Sequence, residues 1–284
     1  MTHNRPSTTA QRVAIHRAEH QILDRPPVFD DPLALRIIGT AAASQLASGH
    51  ARPHDIASRS MRAFMAARSR YAEDQLAAAV DRGVSQFVIL GAGLDTFAYR
   101  NPFSESNLTV FEVDHPATQG WKRVRLEETG IAAPRSVTFV PVDFSRQSLQ
   151  NELTRTGFDP RKGAFFSWLG VTQYLAREVV IETLRWVHSI SQSNGIVFDY
   201  ALPRRSLNWL NRIAFDGLAR RVALAGEPFQ GFFDPAELAN ELHSIGFRHV
   251  EDLGPDEINV RYFRGRRDGL KVRGGLAHLA SALS

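Results

Sequence analysis

Hydrophobic residues follow two different rhythms along this chain. Up to about residue 83 they recur at helical spacing. Val13, Ile15, Ala18 and Ile22 form a first stripe, and Arg25-Pro26-Pro27 ends it, since proline has no N–H to continue the ladder. Asp31-Pro32 reads as a helix start, a capping residue before a first-turn proline, ahead of Leu33, Leu35, Ile37 and Ile38. Gly49 to Pro53 reads as a loop. Ile56 to Val80 is a long helical stretch, broken at most once, carrying Met61, Phe64, Met65, Tyr71, Leu76 and Val80. Its methionines are read as packing. Gly83 suits a left-handed C-terminal cap. The polar segment Thr2 to Thr9 is expected to be disordered.

From Gln86 the rhythm shortens. Apolar runs of strand length lie at Gln86 to Leu90, Leu108 to Val113, Val137 to Val142, Ala164 to Leu169 and Gly195 to Leu202. Helical patterns separate them at Pro116 to Thr129, around Leu149 to Thr156, and at Ala176 to Ser191. This alternation predicts an α/β fold with a doubly wound, mostly parallel sheet and right-handed crossovers. Arg204 to Gln230 breaks the alternation and reads as a basic, amphipathic helical insertion with Leu207, Trp209, Leu210, Ile213, Phe215 and Leu218. Asp234-Pro235 caps a helix over Ala236 to Ser244. Two last strands are expected at about Arg248 to Leu253 and Ile258 to Phe263, then a glycine- and arginine-rich tail ending in a short helix.

The 284 residues suit one such domain. We divide it into a helical cap over residues 1–83 that packs beside the sheet or folds over its edge as a lid, a core over 84–202, a helical lid insertion over 203–232, and C-terminal strands and tail over 233–284. No apolar run is long enough for a transmembrane helix, and the polar N-terminus lacks a signal core, so a cytoplasmic protein without a membrane role is expected. The absence of cysteine removes disulfides, thiolate metal sites and cysteine nucleophiles, and no metal is expected. The net charge of +4 sits in small clusters such as Arg204-Arg205, Arg220-Arg221 and Arg264 to Arg267. None makes a dense basic patch with interleaved aromatics, so nucleic acid is not the expected partner.

The chemistry centres on Phe87-Val88-Ile89-Leu90-Gly91-Ala92-Gly93-Leu94-Asp95-Thr96, a buried strand running into a glycine turn. In an open α/β sheet the crevice beyond the first strand's carboxyl end holds a nucleotide-like ligand. A dinucleotide fingerprint needs a third glycine where Thr96 stands, and Asp95 would repel a pyrophosphate. Asp95 is compatible with a ligand that is phosphate-free and cationic. At the tip of the second strand stand Glu112 and Asp114, on one face by period-two alternation and about 20 residues past the glycines, where a carboxylate grips a ribose diol. Of the two, Asp114 is the stronger candidate. The third strand ends in Asp143-Phe144, an acid and an aromatic ring that suit an adenine. The fourth ends at Trp168, again at the carboxyl edge, where core packing is a competing explanation. Together these positions suit an adenosine with a positive, phosphate-free tail, as in S-adenosylmethionine.

The same residues carry a family resemblance. The run from Phe87 to Arg100 resembles the first motif of the leucine carboxyl methyltransferase-like family. Phe111-Glu112-Val113-Asp114-His115-Pro116, with Lys122 following, resembles its second motif, and Trp168 to Leu175 its fourth. Gly226-Glu227-Pro228-Phe229, Phe233 to Leu238 and Gly246-Phe247 match its later segment, while Arg17-Ala18-Glu19 and Asp31-Pro32-Leu33-Ala34 look like its N-terminal helices. The resemblance implies a seven-stranded Rossmann-like methyltransferase sheet with S-adenosylmethionine as cofactor and S-adenosylhomocysteine as product. It implies a cofactor-binding set of Arg68, Gly91, Gly93, Asp95, Glu112, Asp114, Asp143, Phe144 and Trp168. Arg68 matches the arginine that pairs with the cofactor's carboxylate, with Arg70 as the neighbouring alternative. Leu169 stands where the leucine carboxyl methyltransferases carry a glutamate, which weakens a protein C-terminus as substrate.

The implied reaction is O-methylation of a small-molecule acceptor, aromatic, polyketide or carboxylate. No catalytic base is assigned: His115 reads as structural, and Tyr174 and Tyr200 are candidates for lining an acceptor pocket built by the N-terminal helices and the Arg204 to Gln230 insertion. A nucleotide-binding oxidoreductase, a non-catalytic cofactor-binding module and an RNA methyltransferase stand as the alternatives.

Overall fold

Seven strands form one sheet in the order β3-β2-β1-β4-β5-β7-β6. This is a computed structural model, and it describes residues 7–48, 55–103, 107–144, 146–190, 194–224 and 228–284. The loop expected at Gly49 to Pro53 and the residues before Ser7 lie outside the described residues, as do Gly226-Glu227 and the side chains of Leu210, Leu218 and Arg221.

Four helices precede the sheet: α1 (Thr8–Leu23), α2 (Ala34–Ile37), α3 (Thr40–Ala47) and α4 (Ile56–Asp81). Then follow β1 (Gln86–Leu90), β2 (Thr109–Asp114), α5 (Pro116–Glu128), β3 (Val137–Pro141), α6 (Leu149–Arg155), β4 (Ala164–Trp168), α7 (Arg177–Ser189) and β5 (Asn194–Ala201). These five strands are parallel, as the alternation predicts. The chain continues through α8 (Trp209–Leu224), α9 (Pro235–Ile245), β6 (His249–Leu253), α10 (Pro255–Tyr262) and β7 (Ala277–Leu283). β1, β4 and β5 are buried along their whole length, which is why they read as mainly apolar rather than alternating.

Three expectations are corrected. Ile258 to Phe263 is helical, not extended. Pro255 occupies the first turn with Asp256 and Glu257 behind it, and Ile258 is buried while Val260 is exposed. The final segment is a strand, not a helix. β7 slots antiparallel between β5 and β6, and residues Leu279 to Ala282 are buried there. Sheet pairing overrides the helix propensity of an alanine- and leucine-rich run. At the N-terminus, α1 begins at Thr8, within the segment expected to be disordered, because the Ser7 hydroxyl accepts from Ala10 N–H and caps it.

Helix α4 is a single 26-residue element. It packs Tyr71, Leu76 and its alanines against β1 and β5. On the other face α7 and α9 cover Phe166, Phe198 and Trp168. Helices α1 to α3 form a third apolar cluster with Leu94 and Leu126.

Candidate functional site

A cleft of about 520 Å³ opens at the carboxyl edge of β1, β2, β3 and β4. Its floor is the glycine turn. Gly91 and Gly93 have φ of +69° and +46°. A Cβ on Gly91 would stand 2.3 Å from Val171 Cγ2, so both the backbone angle and the close approach demand glycine. β2 holds the turn in place. Val113 O accepts from Gly91 N–H at 2.8 Å and from Ala92 N–H at 3.0 Å. Asp114 Oδ2 accepts from Gly93 N–H at 2.5 Å and Oδ1 from His115 N–H at 2.7 Å.

Of the nine predicted residues, seven line this cleft: Arg68, Gly91, Gly93, Asp95, Asp114, Asp143 and Phe144. Two do not. Glu112 is buried beneath the turn, ion-paired with Lys122 at 2.8 Å. Trp168 lies wholly in the core, where its Nε1 has no partner among the described residues. Period two does put Glu112 and Asp114 on one side of β2, but only the terminal residue clears the sheet edge. Arg70 is outside the cleft and pairs with Asp74 at 2.7 Å.

Each cleft residue has a defined setting. Arg68 Nη1 donates to Asp199 Oδ2 at 2.6 Å, and Gly170 N–H donates to Asp199 Oδ1 at 2.5 Å. Asp95 Oδ1 accepts from Phe97 N–H at 2.7 Å, and its other oxygen lies 3.8 Å from Arg17 Nη1. Burial pushes the Asp114 pKa above the ordinary aspartate value, and the Gly93 and His115 N–H groups oppose it. His115 caps α5: its Nδ1 accepts from Ala117 N–H at 3.3 Å, and its Nε2 lies 4.0 Å from Asp143 Oδ2.

The N-terminal helices are expected to help build the pocket, but the sequence does not say which residues do so. Ser7, Thr9, Ala10, Val13 and Arg17 all line the cleft. Ser7 N–H reaches Thr118 Oγ1 at 3.3 Å, fastening the start of α1 to α5. Arg17 Nη2 donates to Asp31 Oδ2 at 2.7 Å and to Thr96 Oγ1 at 3.0 Å. Burial works to raise the Asp31 pKa, but Arg17 and Arg100 outweigh it and hold the carboxyl below its usual range. The available signal was Ser7 ahead of the apolar stripe, a capping residue. Asp199, inside an otherwise apolar strand, was a second overlooked signal.

A further set of lining residues is mostly apolar: Leu169, Val171, Tyr174, Leu175, Val179 and Pro228, with Gln230. Gly231 fastens the segment after α8 to the turn after β4. Its N–H and that of Gln230 donate to Gln173 O, and a Cβ there would stand 2.6 Å from Thr172 O. The expected insertion thus contributes Pro228 and Gln230. Arg204 and Arg205 turn away, to Asp216 and Glu237. Tyr200 is buried outside the cleft and donates to Asp252 Oδ1 at 2.5 Å. Among the described residues there is no cluster of metal-ligating side chains, and no helix is long and apolar enough to cross a membrane.

Comparison with known proteins agrees with this architecture. A Bacillus subtilis (strain 168) protein described by name as an S-adenosyl-L-methionine-dependent methyltransferase, YktD, is 33% identical over 96% of each chain. A Mycolicibacterium gilvum protein of the same description is 32% identical over 68% of this chain and 64% of its own. A crystal structure of a DUF574 family protein from Streptomyces avermitilis shares the fold, with a TM-score of 0.56 at 16% identity over 96% of this chain and 97% of its own. The sequence profile of the leucine carboxyl methyltransferase family matches residues 10–188. The chain belongs to that family and is an S-adenosylmethionine-dependent methyltransferase.

Proposed function

We propose that the chain methylates an oxygen atom of a small-molecule acceptor, an aromatic or polyketide hydroxyl or a carboxylate. The observation that carries this reading is that one cleft is lined both by the polar groups of the strand tips and by a set of apolar side chains from the turn after β4, α7 and the segment after α8. In this reading Asp114 accepts from the ribose hydroxyls, and Asp143 from the adenine amine beside the Phe144 ring. The glycine turn lets backbone approach the ligand closely. Arg68 has five N–H donors and commits one to Asp199 in a direct bond, leaving donors for a carboxylate. The groups present therefore fit the cofactor. Glu112 and Trp168 act behind this set rather than in it.

When bound, S-adenosylmethionine supplies a methyl group already activated on a sulfonium. What remains for the protein is to position the reactants and exclude water. Val171, Leu175, Val179 and Pro228 shed water from the acceptor end, and Tyr174 offers a ring wall. His115 Nδ1 accepts from Ala117 N–H and its Nε2 lies 4.0 Å from Asp143 Oδ2, so the ring is tied to the start of α5 and orients rather than removes a proton. An acceptor that arrives ionised suits this site best.

The test is turnover with methyl-labelled S-adenosylmethionine against a panel of phenols and small carboxylic acids. Label in an ether or ester product is expected. Label in added RNA alone, or binding of NAD in preference to S-adenosylmethionine, would overturn the reading.

A further inference from the structure

Behind Arg68 stands an acid that does not line the cleft. Asp199 lies in β5, a strand of eight residues that are all buried, and is itself 3% exposed. A buried carboxylate is costly unless it is paired and hydrogen-bonded. Both of its oxygens are satisfied. Oδ2 accepts from Arg68 Nη1 at 2.6 Å, and Oδ1 accepts from Gly170 N–H at 2.5 Å. Its backbone carbonyl accepts from Thr172 Oγ1 at 2.5 Å. One residue of β5 thus ties a side chain of α4 to the turn after β4.

A buried ion pair is seldom more stabilising than apolar side chains of the same volume, so stability is a weak account of this one. Its geometry suggests another use. Arg68 and Gly170, the two residues that Asp199 holds, both line the cleft. A Cβ on Gly170 would stand 3.2 Å from Nη1 and from Nη2 of Arg68, and its φ is +74°, so glycine lets the guanidinium lie against the turn. Among the described residues Arg68 has no other ion-pair partner. An unheld arginine samples many rotamers and loses that freedom when it takes a ligand. Held at one nitrogen it is already placed, and its planar fork keeps further N–H groups for a second carboxylate.

We propose that Asp199 is a positioning residue for cofactor binding: it fixes the Arg68 guanidinium against Gly170, so that the cofactor's carboxylate meets a cation already in place. The proposal rests on the reading of Arg68 as that carboxylate's partner. Asp199→Asn cannot reproduce the arrangement. Both oxygens of Asp199 accept from N–H groups, whereas an amide has one acceptor oxygen and would turn its NH2 toward either Arg68 or the Gly170 N–H.

The experiment is calorimetry on the full chain with two ligands, S-adenosylhomocysteine and its decarboxylated analogue, which keeps the nucleoside, the sulfur and the ammonium. Wild type is expected to prefer S-adenosylhomocysteine by about 10- to 100-fold, as for hydrogen bonds to a charged group. Asp199→Asn should bind S-adenosylhomocysteine about tenfold more weakly and the analogue within about twofold of wild type. Added to Arg68→Met, it should change neither affinity. A merely structural role would weaken both ligands alike. That result, unchanged binding of both, or tighter binding of S-adenosylhomocysteine would overturn the proposal, as would a further loss of preference in the double variant. Should Asp199→Asn not fold, Asp199→Ser is read in the same way. Arg68→Met separates the two claims. If it keeps the wild-type preference, the reading of Arg68 fails; if it loses the preference while Asp199→Asn keeps it, only the role of Asp199 fails.

Discussion

The two ends of the cleft are built by different means. The region proposed for the cofactor is made of backbone and strand tips: a turn hung from Val113 O and the Asp114 carboxylate, with glycine enforced by a 2.3 Å approach to Val171. The region proposed for the acceptor is made of side chains, Leu169, Tyr174, Val179 and Pro228, brought from three separate segments. A site made of backbone tolerates few residue types. A site made of apolar side chains on a turn can change shape by substitution. One end is thus suited to a constant ligand, the other to a variable one.

The largest expected effect breaks the backbone end. Gly91→Val should abolish cofactor binding, a loss of at least about 100-fold by calorimetry, because the side chain meets Val171 and φ is +69°. Asp114→Asn keeps the shape but removes a charged acceptor. It should weaken S-adenosylhomocysteine binding about 10- to 100-fold, as for a hydrogen bond to a charged group. Tyr174→Ala addresses the other end: the acceptor KM should rise about five- to tenfold, as for the loss of an aromatic contact, with cofactor affinity unchanged. Equal effects on both ligands would erase the distinction between the ends.

Support below both ends is probed by acid. Asp24 binds Arg62 at 2.7 and 3.0 Å and His20 at 2.8 Å, fixing the end of α1 to α4. Burial works to raise its pKa, but the His20 and Arg62 bonds prevail and lower it from 3.8 to about 2. A folded-state pKa below the unfolded one stabilises the fold above the ordinary value and ceases to do so as pH falls through the folded one. The Tm difference between wild type and Asp24→Asn should therefore be constant above about pH 4 and shrink toward pH 2. The smallest effect is expected from Arg205→Ala, an exposed residue outside the cleft, at under about 0.5 kcal/mol of stability and with no change in turnover.

What could be read from the sequence follows the same division. Strands β1 and β4 are nearly continuous apolar runs, and the glycine turn and Asp114 are local patterns. Both were legible because the information lies within a few neighbouring residues. That the N-terminal helices would wall the pocket was expected, but not which residues, since nothing near Ala10 reports that Gly93 will lie against it. Glu112 stayed beside the stronger candidate Asp114 because alternation fixes a side of the strand but not where the sheet stops. Ile258 to Phe263 was misread because its valine and isoleucine suggested a strand, while Pro255 and the acids after it signalled a helix start. β7 was hidden because its alanines favour helix until a gap between two strands is there to fill.

Gly231 offers a landmark for aligning relatives of this chain. Its missing Cβ lets the segment after α8 lie on the carbonyls of Thr172 and Leu175. Any relative that keeps this seam must keep glycine there, however much the intervening helix varies in length or composition. Residues just before that glycine, and in the turn it rests on, are then where a comparison of substrate preferences should look first.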